Sequence, residues 1–193
     1  MPRTEVFHRD QVICQARDVF WAKGYNGTSM QDLVDATGLN RSSIYNSFGN
    51  KMELYKTCLA QYQGGNFEYL EALFNNQNSA LEGLKLFFTT TAKQISQDAQ
   101  GRGCMVVNCS TEMANQDENL EHWLGNNQQR MVTHFKKVLL KAQDQGALDK
   151  QKDVTVLASY LVSAIQGLRV SGTVLKDPKI LSGMVGHILA TLK

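Results

Sequence analysis

In "TGLNRSSIYNSFGNK", Thr37 to Lys51, a glycine turn leads into a polar, hydroxyl-rich segment with one apolar anchor, Ile44, between Leu39 and Phe48. Gly38 lets the backbone turn without a Cβ penalty. Asn40 can cap a short helix that ends near Ser47, because its side-chain oxygen satisfies an otherwise orphan amide. Leu39 and Ile44 anchor that helix, which leaves Arg41, Ser42, Ser43 and Asn46 on its first turn and outward face. A purely structural helix usually buries more.

Working outward, Val12, Ile13, Ala16, Val19 and Phe20 recur at helical spacing and predict a helix from Arg9 to Lys23, closed by Gly24. Thr28 or Ser29 caps a second helix with Asp32 in the first turn; Met30, Leu33 and Val34 form its buried stripe. Asn50 with Glu53 starts a long fourth helix, which Gly64-Gly65 are expected to bend. Three short helices, the second and third joined by a glycine turn, describe a helix-turn-helix. Arg41 suits a guanine edge and Asn46 an adenine. Tyr45, Ser47, Lys51, Thr28, Ser29 and Gln31 suit a DNA surface, chiefly through phosphate oxygens. From this pattern alone, an ordinary helical hairpin with a polar surface fits as well.

The stretch "GYNGTSMQDLVDATGLNRSSIYNSFGNKMELY" resembles the N-terminal DNA-binding domain of the tetracycline-repressor (TetR) family. The resemblance rests on Gly24-Tyr25, Thr28-Ser29, Leu33, Ala36, Gly38-Leu39, Ile44-Tyr45, Phe48, Lys51 and Leu54. It implies that Tyr45 and Lys51 contact phosphates and that Arg41, Ser42, Ser43 and Asn46 read bases. Ser42 departs from the pattern, since many members carry glycine or proline there.

The 193 residues are 42% hydrophobic and 20% charged, enough to bury a sizeable core. Prolines occur only at Pro2 and Pro178. The net charge is +2, and the first 56 residues carry seven positive and six negative side chains, or +1. Any nucleic-acid role therefore rests on the placement of charges rather than on their sum. No apolar run approaches a membrane span and the N-terminus lacks a signal-peptide core, so the chain reads as cytoplasmic. Cys14, Cys58, Cys104 and Cys109 are then thiols rather than a disulfide framework. No cysteine–histidine spacing matches a zinc site, and neither a metal nor another cofactor is expected.

Beyond Leu54 the same grammar continues. The polar break "NNQNS" precedes a helix restarted by Ser79 and Glu82, and "DAQGRG" precedes the apolar run from Cys104 to Cys109. Asn115 to Glu118 cap a helix reaching Gln145, Asp153 opens another, and Asp177-Pro178 opens the last. The expected fold is all-α, with about nine helices. Its parts are a helix-turn-helix domain over residues 1–52 and an effector-binding and dimerisation domain over 53–193.

The family resemblance implies a homodimer on a palindromic double-stranded DNA operator, released by a small-molecule effector, with the fourth helix as lever. Small residues at Ala164, Gly167, Gly183, Gly186 and Ala190 fit a helix-pairing interface. Internal packing needs such residues equally. Pocket candidates are Phe67, Phe87, Phe88, Thr91, Cys104, Met113, Trp123, Met131, Phe135, Tyr160 and Gln166. Arg169, in an apolar stretch, calls for an acceptor partner, with an interface salt bridge as the expected use.

"GRGCMVVNCSTEMA" resembles a glycine-cysteine motif in one branch of TetR-like regulators, some of which respond to electrophiles or oxidants. That resemblance makes Cys104 a candidate sensing thiol, activated by helix amides and Arg102, with Cys109 as a resolving partner. Burial of both as small hydrophobes is the alternative. Two further classes remain open, a helical enzyme using Cys104 or a metal, and a helical adaptor without DNA binding.

Overall fold

The computed structural model describes residues 7–77 and 79–193. Residues 1–6 of the first expected domain, and Asn78 within the polar break, lie outside the described residues. Among those described there are nine α-helices and no strand: α1 Arg9–Lys23, α2 Met30–Thr37, α3 Arg41–Phe48, α4 Lys51–Asn75, α5 Ala80–Gln97, α6 Met105–Met113, α7 Glu118–Asp144, α8 Val154–Ser171 and α9 Pro178–Ala190.

Most helix starts follow from local chemistry. The Ser29 side chain accepts from the Asp32 amide while the Asp32 carboxylate accepts from the Ser29 amide, a complete capping box. The side-chain oxygens of Asn40, Asn50 and Asp117 accept from the amides of Ser43, Glu53 and Leu120. Asp153 and Asp177 each accept from two amides of the helix they open. Ser79 departs from expectation, since its side chain makes no cap. The Ala80 amide donates instead to Gln145 Oε1 at 3.0 Å, so the end of α7 caps α5 from a distance. Gly64 and Gly65 do not interrupt α4, which runs through both with open space where a Cβ would sit.

The buried side chains form two clusters, and they do not divide at residue 52. One unites α1, α2, α3 and the first half of α4 with α6 and the start of α7, from Val12 through Leu59 and from Cys104 through Leu124. The other fills the space between the second half of α4, α5, the rest of α7, α8 and α9, around Phe88, Phe135 and Leu161. Helix α6 is therefore packed into the helix-turn-helix unit. One sequence expectation is amended: α8, with 18 residues and a mean hydropathy of 1.3, is long and apolar enough to cross a membrane by length and composition. Its Ala158, Leu161, Val162, Ile165 and Leu168 are buried inside the protein.

Candidate nucleic-acid interface and effector cavity

Helix α3 is held by Ile44 and Phe48, both buried, at a four-residue spacing that puts them on one face. Gly38 precedes it in the left-handed conformation, φ 69°, with nothing near its missing Cβ. The opposite face carries Arg41, Ser42, Tyr45 and Asn46, all exposed, with Tyr45 at 46%. Ser43 and Ser47 are half-buried at its edges. Lys51 opens α4 beside this face, with its Nζ 4.3 Å above the Tyr25 ring. Burial lowers the Lys51 pKa, while Glu112 and Asp32 pull it back up.

The expected set changes on the α2 side. Thr28 is 1% exposed and its hydroxyl donates to the Gly24 carbonyl at 2.6 Å, so it locks the α1–α2 loop and offers nothing to a phosphate. The Ser29 hydroxyl donates to Asp32 Oδ2, and the Gln31 amide nitrogen to Asp35 Oδ1. Both residues are exposed, with these polar groups already engaged. Lys23 Nζ lies 2.6 Å from Asp32 Oδ1. Hydrogen bonds from Lys23 and Ser29 hold the Asp32 carboxyl far below its ordinary range.

Sequence reasoning missed two residues around this face. The Arg9 guanidinium lies 4.4 Å from the Phe48 ring centroid and donates to the Ser47 carbonyl. The Glu112 carboxylate, near the end of α6, accepts from the Tyr25 amide at 3.0 Å and the Asn26 amide at 2.7 Å. A glycine before an aromatic residue signalled the loop, but nothing in the chain pattern linked it to a glutamate 87 residues on.

A large cavity, about 580 Å³, opens between α1, α4, α5, the loop before α6, and α8. Trp21, Tyr62, Asn66, Thr91, Arg102 and Arg169 are among its lining. A second, of about 40 Å³, lies behind Arg169 and is lined in part by Cys104, Met131 and Gln166. Thus Thr91 faces the large cavity, Phe87, Cys104, Met131 and Gln166 the small one, and Tyr160 is exposed on α8 and lines neither. Five other candidates are corrected. Phe67, Phe88, Met113 and Phe135 are at most 2% exposed and belong to the two cores, because aromatic and long apolar residues at helical spacing are what cores are built from. Trp123 is half-buried against the helix-turn-helix cluster and lines neither cavity.

Arg169 and Cys104 meet where the two cavities adjoin. Arg169 Nη1 donates to Cys104 Sγ at 3.1 Å, and the Tyr62 hydroxyl to the same sulfur at 3.7 Å. Burial opposes a thiolate at Cys104. The Arg169 guanidinium, the Val107 and Val106 amides and the Tyr62 hydroxyl outweigh it, and the thiol sits below its ordinary pKa. The activating cation is thus Arg169, not Arg102, whose guanidinium lies over the Trp21 ring. Cys109 differs from Cys104: it is fully buried in the helix-turn-helix cluster and burial pushes its thiol up to about 11.

On the outer faces of α8 and α9, Gly167, Gly183, Gly186 and Ala190 are exposed, and Ala164 is half-buried against the core. A Cβ at any of the three glycines would meet nothing within 4 Å. Val156, Tyr160, Val170 and Ile180 are exposed on the same two helices, by 44–65%.

Residues 12–58 match the tetR family of bacterial regulatory proteins, and residues 80–188 match the tetracyclin-repressor-like C-terminal domain. The chain belongs to this family. TetR-family proteins are transcriptional regulators rather than enzymes, and the present chain is a transcriptional regulator. It is 30% identical to the transcriptional repressor ComR of Escherichia coli over 170 residues, 88% of this chain and 81% of ComR. It is 28% identical to YezE of Bacillus subtilis, an uncharacterised HTH-type transcriptional regulator, over the whole of both chains. Among solved structures, a cysteine mutant of the TetR-family regulator CifR, complexed with 26-bp double-strand operator DNA, superposes with a TM-score of 0.89 at 27% identity. That match covers 99% of this chain and 100% of CifR.

Proposed function

We propose that this TetR-family regulator is a cytoplasmic repressor that binds a palindromic operator as a homodimer and leaves it when a small molecule fills the C-terminal cavity. The exposed polar face of α3, with Arg41, Ser42, Tyr45 and Asn46 beside Lys51 at the start of α4, carries this reading. A short helix anchored by two buried residues and otherwise bare fits a major groove. Lys51 and the first amides of α4 supply a cationic helix end for a phosphate. The operator-bound CifR structure supports the same use of the fold. The unpartnered small and apolar residues on α8 and α9 support pairing about a two-fold axis, which sets two recognition helices about one DNA turn (~34 Å) apart.

Release requires an effector that prefers the non-binding geometry. Helix α6 is placed to transmit that preference alongside α4. Its N-cap, Cys104, borders the small cavity, and Glu112 near its other end grips the loop between α1 and α2.

The test is binding to DNA around the protein's own gene across a salt series. Arg41→Ala is expected to weaken binding roughly 10- to 100-fold and relax specificity at one base position. Lys51→Ala is expected to weaken binding to all sequences and lower the salt slope by about 1. Failure to prefer any sequence at low salt, with Arg41→Ala unchanged in cells, supports an adaptor instead.

The Arg169–Cys104 contact favours one second reading, a trigger by thiol modification. Iodoacetamide, which forms an S–C bond at the thiolate and expels iodide, should then abolish operator binding by the wild type but not by Cys104→Ser. Equal loss in both proteins would remove Cys104 from the mechanism.

A further inference from the structure

The charged groups of the large cavity leave an excess of positive charge. Its charged lining residues are Arg102, Arg169 and Asp98. Both Asp98 carboxylate oxygens are engaged by the loop, Oδ1 by the Gly101 amide at 3.0 Å and Oδ2 by the Gly103 amide at 3.2 Å. The Arg102 carbonyl accepts from Trp21 Nε1 and Asn108 Nδ2, so the loop backbone is also committed. Besides the neutral Thr91, Gln94, Gln97 and Gln100, two donor groups facing the space lack good acceptors. Asn66 Nδ2 is buried with no hydrogen-bond partner. Among the described residues, the Arg169 guanidinium, with five N–H donors, has a single hydrogen-bond partner, the Cys104 sulfur. A sulfur atom is a weak acceptor, and a buried unpaired donor costs free energy that a ligand acceptor recovers.

The rest of the wall is mixed, with Thr91, Gln94, Gln97 and Gln100 on the α5 side and an aromatic side opposite. The Trp21 and Tyr62 rings meet edge to face with centroids 5.0 Å apart, beside Ile95. A cavity of about 580 Å³ falls within the range of organic-ligand sites, typically about 300–1,000 Å³.

We propose that this cavity binds a small aromatic carboxylate, with the carboxylate shared between Arg169 and Asn66 and the ring system against Trp21 and Tyr62. The proposal rests on the effector reading above and names the ligand class. Arg169 is the specificity-determining residue, since its fork matches two carboxylate oxygens in one plane. Asn66 adds the donor that has no protein partner. Because Trp21 belongs to α1, the ligand contacts the helix-turn-helix unit directly.

The test is calorimetric titration of the full chain, without DNA, using 2-naphthoate and its neutral isostere 2-naphthamide. Wild type should bind the carboxylate saturably, and the amide about tenfold or more weaker. Arg169→Gln should lose carboxylate affinity by a similar factor. Asn66→Leu, which leaves the Arg169–Cys104 contact in place, should lose about fivefold or more, and tests the site if Arg169→Gln does not fold. Equal affinity for acid and amide, no effect of either substitution, or no saturable binding at millimolar concentration would each overturn the assignment. Operator release is read separately. A carboxylate that binds through Arg169 without releasing DNA sinks the effector reading and leaves the ligand class standing.

Discussion

Glu112 makes two charge-assisted hydrogen bonds to consecutive amides of the α1–α2 loop, and its carboxylate oxygen lies 2.8 Å from where a Cβ on Gly24 would sit. Removing the carboxylate leaves both amides to water, so Glu112→Ala should cost about 1–2 kcal/mol in urea unfolding. Gly24→Ala should be costly for two reasons, its φ of 74° and the collision with Glu112. In the double variant the collision is gone, and a double-mutant cycle should show the pair costing less than the sum of the singles. Cys104 makes the other residue-scale case. Its pKa is lowered, whereas burial pushes Cys58 up to about 12 and Cys109 to about 11. The thiolate is the nucleophile, so mass-mapped alkylation should label Cys104 before those two, at a pH where they stay protonated. In Arg169→Gln that order should fade.

At the scale of elements, the capping box of α2 ties stability to pH. The folded Asp32 carboxyl has a depressed pKa, so its contribution is full above the ordinary carboxylate range and is lost as pH falls below that range through the depressed folded value. Thermal melts should therefore show the wild type losing more stability than Asp32→Asn as pH drops below about 4. Ser29→Ala should lower the melting temperature by about 2–4 °C at neutral pH. These caps also explain what was legible in the chain. An Asn, Asp or Ser at a helix start acts on amides two or three residues away, so the starts of α2, α3, α4, α7, α8 and α9 could be read from local sequence. The start of α5 could also be placed at Ser79, but its cap could not be read, because Gln145 supplies it from the end of α7. The recognition face was legible for the same local reason, since Ile44 and Phe48 define its buried side four residues apart. The cavity was not. Trp21, Tyr62, Asn66 and Arg169 come from three helices, and helical spacing gives an aromatic residue the same signature in a core as beside an opening. Thr28 was misplaced because its hydroxyl turns inward to Gly24 rather than out.

Across the whole molecule, the outer faces of α8 and α9 leave Val156, Tyr160, Val170 and Ile180 open along with Gly167, Gly183 and Gly186. A charge in the middle of a buried helix pair is strongly unfavourable, so Tyr160→Glu should give monomers in sedimentation while leaving the helical circular dichroism intact. Operator affinity should fall with it, because one recognition helix then reads only a half-site. Trimming the chain is a different matter. The cluster that supports α3 includes Met105, Val106, Cys109 and Met113 of α6, so a fragment of residues 1–52 should fail to show a cooperative melt. That shared core bears on how the protein is made. The helix-turn-helix leaves the ribosome before α6, whose share of the common core emerges only after some fifty further residues, roughly 3–10 s later at ordinary elongation rates. During that interval the nascent chain carries the recognition helix on α2 and α4 alone, and the shared core closes only once α6 and the start of α7 have been synthesised.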